Sequence, residues 1–197
     1  MSIIVAHEKR RQEILERALG VFMAEGFENT TFQKIAGRCG ITRTTLYIYF
    51  KNKREIFNYS IKQLMGGVER DIVLMRQDTS LNHLEKLIKV ICMIIDRLEE
   101  NRLLLSVVLD YLRYLAKGNE NLDGIVRRRT IRLRHILATM IIEGIRAGDI
   151  RPVNVRNADD LLYGLLEAGI FRLTVLRHSS IKEMKQAAAL TIQQLGW

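Results

Sequence analysis

Thr31 to Phe50 carries two short stripes of helical period with one glycine between them. Phe32, Ile35, Ala36 and Cys39 recur at i, i+3, i+4 and i+7, the spacing that buries one face of a helix. Thr31, just before them, has the hydroxyl that can satisfy a free amide of the first turn. Gly40 breaks the pattern. Thr42 then offers a second cap, and Leu46 and Phe50 share one face through their i, i+4 spacing. Upstream, Ile14, Ala18 and Phe22, with Leu15 and Leu19 beside them, predict a first helix from about His7 to Glu25 that ends at Gly26. Two short helices meeting at a glycine turn over a backing helix make a helix-turn-helix, the arrangement that lets the second helix enter a major groove.

The rest of the composition supports an all-α chain with a real core. Of 197 residues 48% are hydrophobic, which argues against disorder, and there is one proline, Pro152, expected between helices. Abundant leucine, arginine and glutamate favour helix because these unbranched side chains lose little rotamer freedom there. Lysine and arginine total 31 against 22 acids, a net charge of +9, so a polyanion is a plausible partner. The distribution is more telling than the total. Thr31 to Arg54 holds Lys34, Arg38, Arg43, Lys51, Lys53 and Arg54 with no acid, whereas charges of both signs mix elsewhere. Cys39 and Cys92 lie far apart without metal-ligand spacing, so neither a metal site nor a disulfide is expected, and both read as reduced core residues. The apolar run in "MSIIVAHEKRR" is too short for a secretory signal and no segment reaches membrane-spanning length, so a cytoplasmic protein with no membrane partner is expected.

Beyond Lys53 the helical pattern continues. Ile56, Phe57, Ile61 and Leu64 lead into Gly66 and Gly67, which fall inside the expected helix before Val68, Ile72 and Met75. They read either as fraying or close packing, or as a soft joint. Leu81 to Leu98, Arg102 to Ala116 and Leu122 to Ala147 give three further amphipathic helices. "AGDIRPVNV" interrupts the pattern, and Asn157 to Leu176 and Ile181 to Leu195 supply the last two. The expected organisation is a helix-turn-helix domain over residues 1–52 and a larger helical domain over 53–197.

"TTFQKIAGRCGITRTTLYIYFKNKREIF" resembles the N-terminal signature of TetR-family transcriptional regulators, over roughly the first quarter of the chain. The resemblance implies a homodimeric repressor that binds a palindromic operator in double-stranded DNA and leaves it when a small-molecule effector enters the C-terminal domain; no cofactor is implied. By position, Arg43, Thr44, Thr45 and Tyr47 would face base edges or nearby phosphates. Thr31, Tyr49 and Lys53 would grip the backbone, and Leu46 and Phe50 would stay in the core. Thr42, Ile48 and Lys51 complete the expected DNA-facing set. The chemistry fits: arginine can pair with guanine O6 and N7, and the methyl groups of Thr44, Thr45 or Ile48 can pack on a thymine methyl. Lys53 and Thr31 lie near helix starts, which favour phosphate. For Arg43 a phosphate contact or solvent is the alternative, and for Tyr47 core packing.

At the other end of the chain, Leu161, Gly164, Leu165, Ala168 and Arg172, with Ile181, Met184, Ala188, Thr191 and Leu195 of the last helix, are the expected dimer interface, an ordinary intramolecular core being the alternative. Met93, Asp110, Tyr111, Tyr114, His135, Tyr163 and Glu167 are candidate effector-pocket residues, although residues at such spacing often fill core. Asp110 can also pair with Arg113 at i+3. Arg127, Arg128, Arg129, Arg132 and Arg134 read as a solvated face, an anion site or an added DNA contact.

Two other functions compete. A helical transferase would need a catalytic constellation, and the sequence has no P-loop, GxSxG, HExxH or glycine-rich dinucleotide turn, so no catalytic residue is assigned. A helical scaffold for protein partners would leave the local cationic asymmetry unexplained.

Overall fold

In a computed structural model, which describes residues 2–117 and 123–197, every regular element is a helix among the described residues. They are α1 (Ser2–Asn29), α2 (Phe32–Cys39), α3 (Arg43–Tyr49), α4 (Lys53–Gln77), α5 (His83–Glu100), α6 (Arg102–Lys117), α7 (Asp123–Ala147), α8 (Val155–Thr174) and α9 (Glu183–Gln193). Gly26 interrupts α1 with φ 75° and ψ 169°, so its last residues form a separate short turn. The chain divides into two units, Met1–Gly67 with Ser106–Gly118, and Val68–Leu105 with Asn119–Trp197. The boundary expected between 52 and 53 does not coincide with this division, because the first part of α4 buries Ile56 and Phe57 in the core of the first unit. Gly66 and Gly67 are helical, and the division falls directly after Gly67.

In the first unit, α2 and α3 are too short to be stable alone, since isolated helices below about 12 residues are marginal in water. Their caps and anchors hold them. Thr31 accepts from the Lys34 amide at 3.3 Å and Thr42 from the Thr45 amide at 3.0 Å; each cap contributes about 1 kcal/mol. Leu46 and Phe50 are fully buried, worth about 1.5–3 kcal/mol apiece. Gly40 closes α2 in the left-handed conformation, φ 66° and ψ 34°, and its amide bonds back to the Gly37 carbonyl at 3.1 Å. A residue with a β-carbon would sit there under strain. The core beneath is aromatic. Phe57 meets Phe22 at 4.9 Å and Phe27 at 5.3 Å between ring centroids, and Tyr111 of α6 meets Phe27 at 4.4 Å.

The second unit is built on α5, whose Leu87, Val90, Ile91, Ile94 and Ile95 form the buried stripe. Asn82 and Glu85 cap it reciprocally, satisfying two free amides. Helices α7, α8 and α9 all pack on α5, and α8 also packs on α7 and α9. The "GDIRP" turn between α7 and α8 is held from both sides. The Ile150 amide bonds to the Gly144 carbonyl at 3.1 Å and the Arg151 amide to the Leu195 carbonyl at 2.9 Å. Asp149 accepts from the His83 amide at 2.9 Å and from its ring at 2.7 Å, which holds the Asp149 carboxyl below the usual carboxylate range. No helix among the described residues is long and apolar enough to cross a membrane.

Candidate nucleic-acid interface

The outward side of α3 follows from what α3 buries. With Leu46 and Phe50 turned inward, Arg43, Thr44, Tyr47 and Ile48 are exposed. Ile48 is 70% exposed, far from any internal packing role and available to a partner's apolar group. Tyr47 lies against the Phe32 ring at 4.7 Å yet remains half exposed, and its hydroxyl accepts from Arg43 Nη2 at 3.1 Å. The guanidinium also sits 5.6 Å from the Tyr47 ring centre. Tyr47 is therefore not a core residue: it packs on Phe32 and keeps half of its surface open.

The threonines divide by role. Thr44 is exposed, whereas Thr45 is half-buried and its hydroxyl lies 2.8 Å from that of Thr42. Thr31 and Thr42 are exposed while serving as caps. Lys51 is exposed. The nearby acid, Glu55, is turned back onto the Lys51 amide at 2.6 Å, and Asn52 caps the Glu55 amide at 2.9 Å. That carboxylate is thereby held within the turn between α3 and α4.

Lys53 departs from the expectation that it grips phosphate. Its ammonium donates to three backbone carbonyls, those of Phe27 at 2.8 Å, Glu28 at 2.8 Å and Thr30 at 2.9 Å, and lies 4.8 Å from the Phe27 ring centre. An ammonium has three protons, and all are used. Burial draws its pKa below the usual lysine range, partly offset by the Glu28 carboxylate. Lys53 is a clamp on the carbonyls that follow the Gly26 kink. The partners lie more than 20 residues upstream, which is why sequence spacing did not reveal them.

One contact on this face has no sequence signal at all. The ring of His7, near the start of α1, stacks on Tyr49 with centroids 4.5 Å apart and planes 23° apart.

The candidate pocket residues scatter. Tyr111 is 2% exposed and taken up by the aromatic core of the first unit. Tyr114 is partly exposed against Phe27, and Asp110 pairs on the surface with Arg113 at 3.7 Å. In the second unit His135 and Glu167 are exposed, Met93 packs against the core, and the Tyr163 hydroxyl meets that of Thr130 at 3.1 Å. Asp110, Tyr111, His135 and Glu167, on three different helices, are thus corrected: Tyr111 is taken up by the core and the other three face solvent, so they line no common pocket. In the arginine cluster, the side chains of Arg127, Arg128 and Arg129 lie outside the described residues. Arg132 pairs with Glu69 at 3.3 Å, and Arg134 pairs with Asp159 at 2.8 Å and with Asp160.

The expected dimer face is corrected in part. Ile181, Met184 and Ala188 are buried in the core of the second unit, and Leu165, Thr191 and Leu195 are half-buried. Leu161, Ala168 and Arg172 are exposed, with Gly164 between them half-buried. Helix α9 has two apolar stripes, and the one with the larger side chains went to the core. Its other side presents Ala187 and Leu190. Leu161 and Phe171 of α8, Val175 and Leu176 just after it, and Leu190 of α9, each more than half exposed, leave apolar surface facing water.

A family model, "Bacterial regulatory proteins, tetR family", matches residues 14–59, the segment that contains α2 and α3. The fatty acid metabolism regulator protein of Bacillus subtilis (strain 168) is 29% identical over 162 residues, covering 79% of this chain and 78% of the relative. The transcriptional repressor KstR2 of Mycobacterium tuberculosis is 26% identical over 191 residues, 95% of this chain and 87% of its own. Among solved structures, the regulator FadR from Bacillus subtilis in complex with stearoyl-CoA superposes with a TM-score of 0.72 at 23% identity, over 94% of this chain and 97% of that one. Residues 14–59, which hold the capped α2 and α3 pair, thus match the tetR family of bacterial regulatory proteins, and the likeness to transcriptional regulators extends over most of the chain.

Proposed function

We propose that this regulator is a repressor that binds a palindromic operator as a homodimer and is released by a small-molecule effector. The observation that carries the reading is α3: it anchors inward through Leu46 and Phe50 and presents Arg43, Thr44, Tyr47 and Ile48 outward with no acid among them. Arginine can donate to guanine O6 and N7, and the Thr44 and Ile48 methyl groups suit thymine. Thr31, Thr42, Thr45, Tyr49 and Lys51 supply backbone contacts that set position without reading sequence. Lys53 is left out of this set.

Two copies follow from the physics of the site. One seven-residue helix reads only a few base pairs, and a two-fold dimer doubles the reading by placing two such helices one turn of B-DNA apart. The exposed apolar residues of α8 and α9 supply a self-complementary face. Effector control then needs only differential binding: whatever favours one arrangement of the dimer weakens the ligand that favours the other. The relatives' names make a long-chain acyl thioester the effector to test first.

The deciding experiment is binding of the full chain to labelled duplexes over a salt series, followed by recovery of bound genomic fragments. Affinity should fall steeply with salt and one palindrome should bind at least a thousandfold more tightly than random duplex. Arg43→Ala should relax preference at one base position. Binding that is indifferent to salt, or equal for all duplexes, would refute the reading. Stearoyl-CoA should weaken operator binding where free coenzyme A does not.

A further inference from the structure

We propose that His7 belongs to the DNA-binding surface as the residue that positions Tyr49 for a phosphate contact. The inference rests on the DNA-binding reading above and deepens it. Helix α1 begins at Ser2, so His7 lies within its first turns, and Arg11 follows on the same face at i+4. The Arg11 guanidinium sits 4.2 Å from the Tyr59 ring centre and 5.1 Å from that of Phe50, with Glu8 at 3.8 Å completing its surroundings. That contact seats the start of α1 against the end of α3. His7, one turn earlier, is thereby brought over Tyr49, and the two rings stack at 4.5 Å.

Tyr49 needs such a partner. It is the last residue of α3, and Phe50 after it is extended, with φ −145° and ψ 140°, so no further helical turn flanks the Tyr49 ring. A phenol free to swing loses rotamer entropy when it binds, whereas a stacked one has already lost it. His7 is exposed and outside the buried core, so the stack contributes little to holding the unit together. Its effect falls on the orientation of the Tyr49 hydroxyl, a neutral donor. A contact of this kind adds affinity for every duplex and releases no counterion, because no charge neutralises the phosphate.

The test uses the full chain and a labelled random-sequence duplex of about 30 base pairs, with anisotropy titrations between roughly 50 and 200 mM salt. His7→Ala should weaken binding by about two- to tenfold with the salt slope unchanged, and His7→Phe, which keeps a ring, should restore it. Tyr49→Phe should show a similar loss, and adding His7→Ala to it should cost nothing more. Four results would overturn the proposal: full affinity in His7→Ala, no restoration by His7→Phe, an equal loss in both Tyr49 backgrounds, or a fall in salt slope that marks His7 as a cation on phosphate. Failure of the unaltered chain to bind any duplex would instead overturn the DNA-binding reading itself.

Discussion

Lys53→Met separates two roles for one lysine. Methionine keeps an unbranched stem beside the Phe27 ring and removes the ammonium that bonds to the carbonyls of Phe27, Glu28 and Thr30. Hydrogen bonds from a charged group contribute about 1.5–3 kcal/mol net when well buried. The Glu28 bond is exposed and its carbonyl can turn to water, so the three together are worth about 2 kcal/mol rather than their sum. For a chain of this length that lowers Tm by roughly 4–8 °C. If Lys53 instead met phosphate, each subunit would lose one neutralised phosphate, and the slope of log affinity against log salt would fall by about 0.9 per subunit, near 2 per dimer. The clamp predicts a lower Tm by calorimetry or circular dichroism, and an unchanged slope in duplex titrations. A flattened slope with Tm intact would refute it.

Three further outcomes follow from the second unit. In Gly144→Ala the new β-carbon would stand 2.5 Å from Ile150 Cδ1 and 3.2 Å from the His83 β-carbon; overpacking of about 1–3 kcal/mol outweighs the roughly 1 kcal/mol of helix propensity gained, so thermal melts should shift down. Leu190→Glu places a charge on the exposed stripe of α9, and sedimentation should show monomers with unchanged helix content; an intact dimer would move the interface elsewhere. Asp149 has its pKa depressed, chiefly by the His83 amide and then the His83 ring, so the stability it supplies is present above the unfolded value near 4 and is lost as pH falls through the lower folded value. Asp149→Ala should therefore melt earlier at neutral pH, with the gap closing in acid.

The first three helices were legible because their determinants are local. Thr31, Gly40, Thr42, Leu46 and Phe50 act within one or two turns of one another, and each has the structural role that periodicity and capping assign to it. Lys53 and His7 were not legible, since their partners are more than 20 and 40 residues away along the chain. Helix α9 failed for a different reason. Ile181, just before it, with Met184 and Ala188 makes a good stripe, but period alone marks a face that will be covered without saying whether the cover is the same chain or another copy. Chemical type does not mark a pocket, as Tyr111 shows: an aromatic with a hydroxyl fits a core as well as a ligand site.

The bond between Arg43 and the Tyr47 hydroxyl ties two exposed positions into one. A mutation at Tyr47 also releases the guanidinium beside it, so the two sites will not respond additively. On the proposed base-reading role of Arg43, lineages descending from this protein should then shift their operators by paired changes at neighbouring base positions, with single-letter drift at Arg43 alone the rarer event.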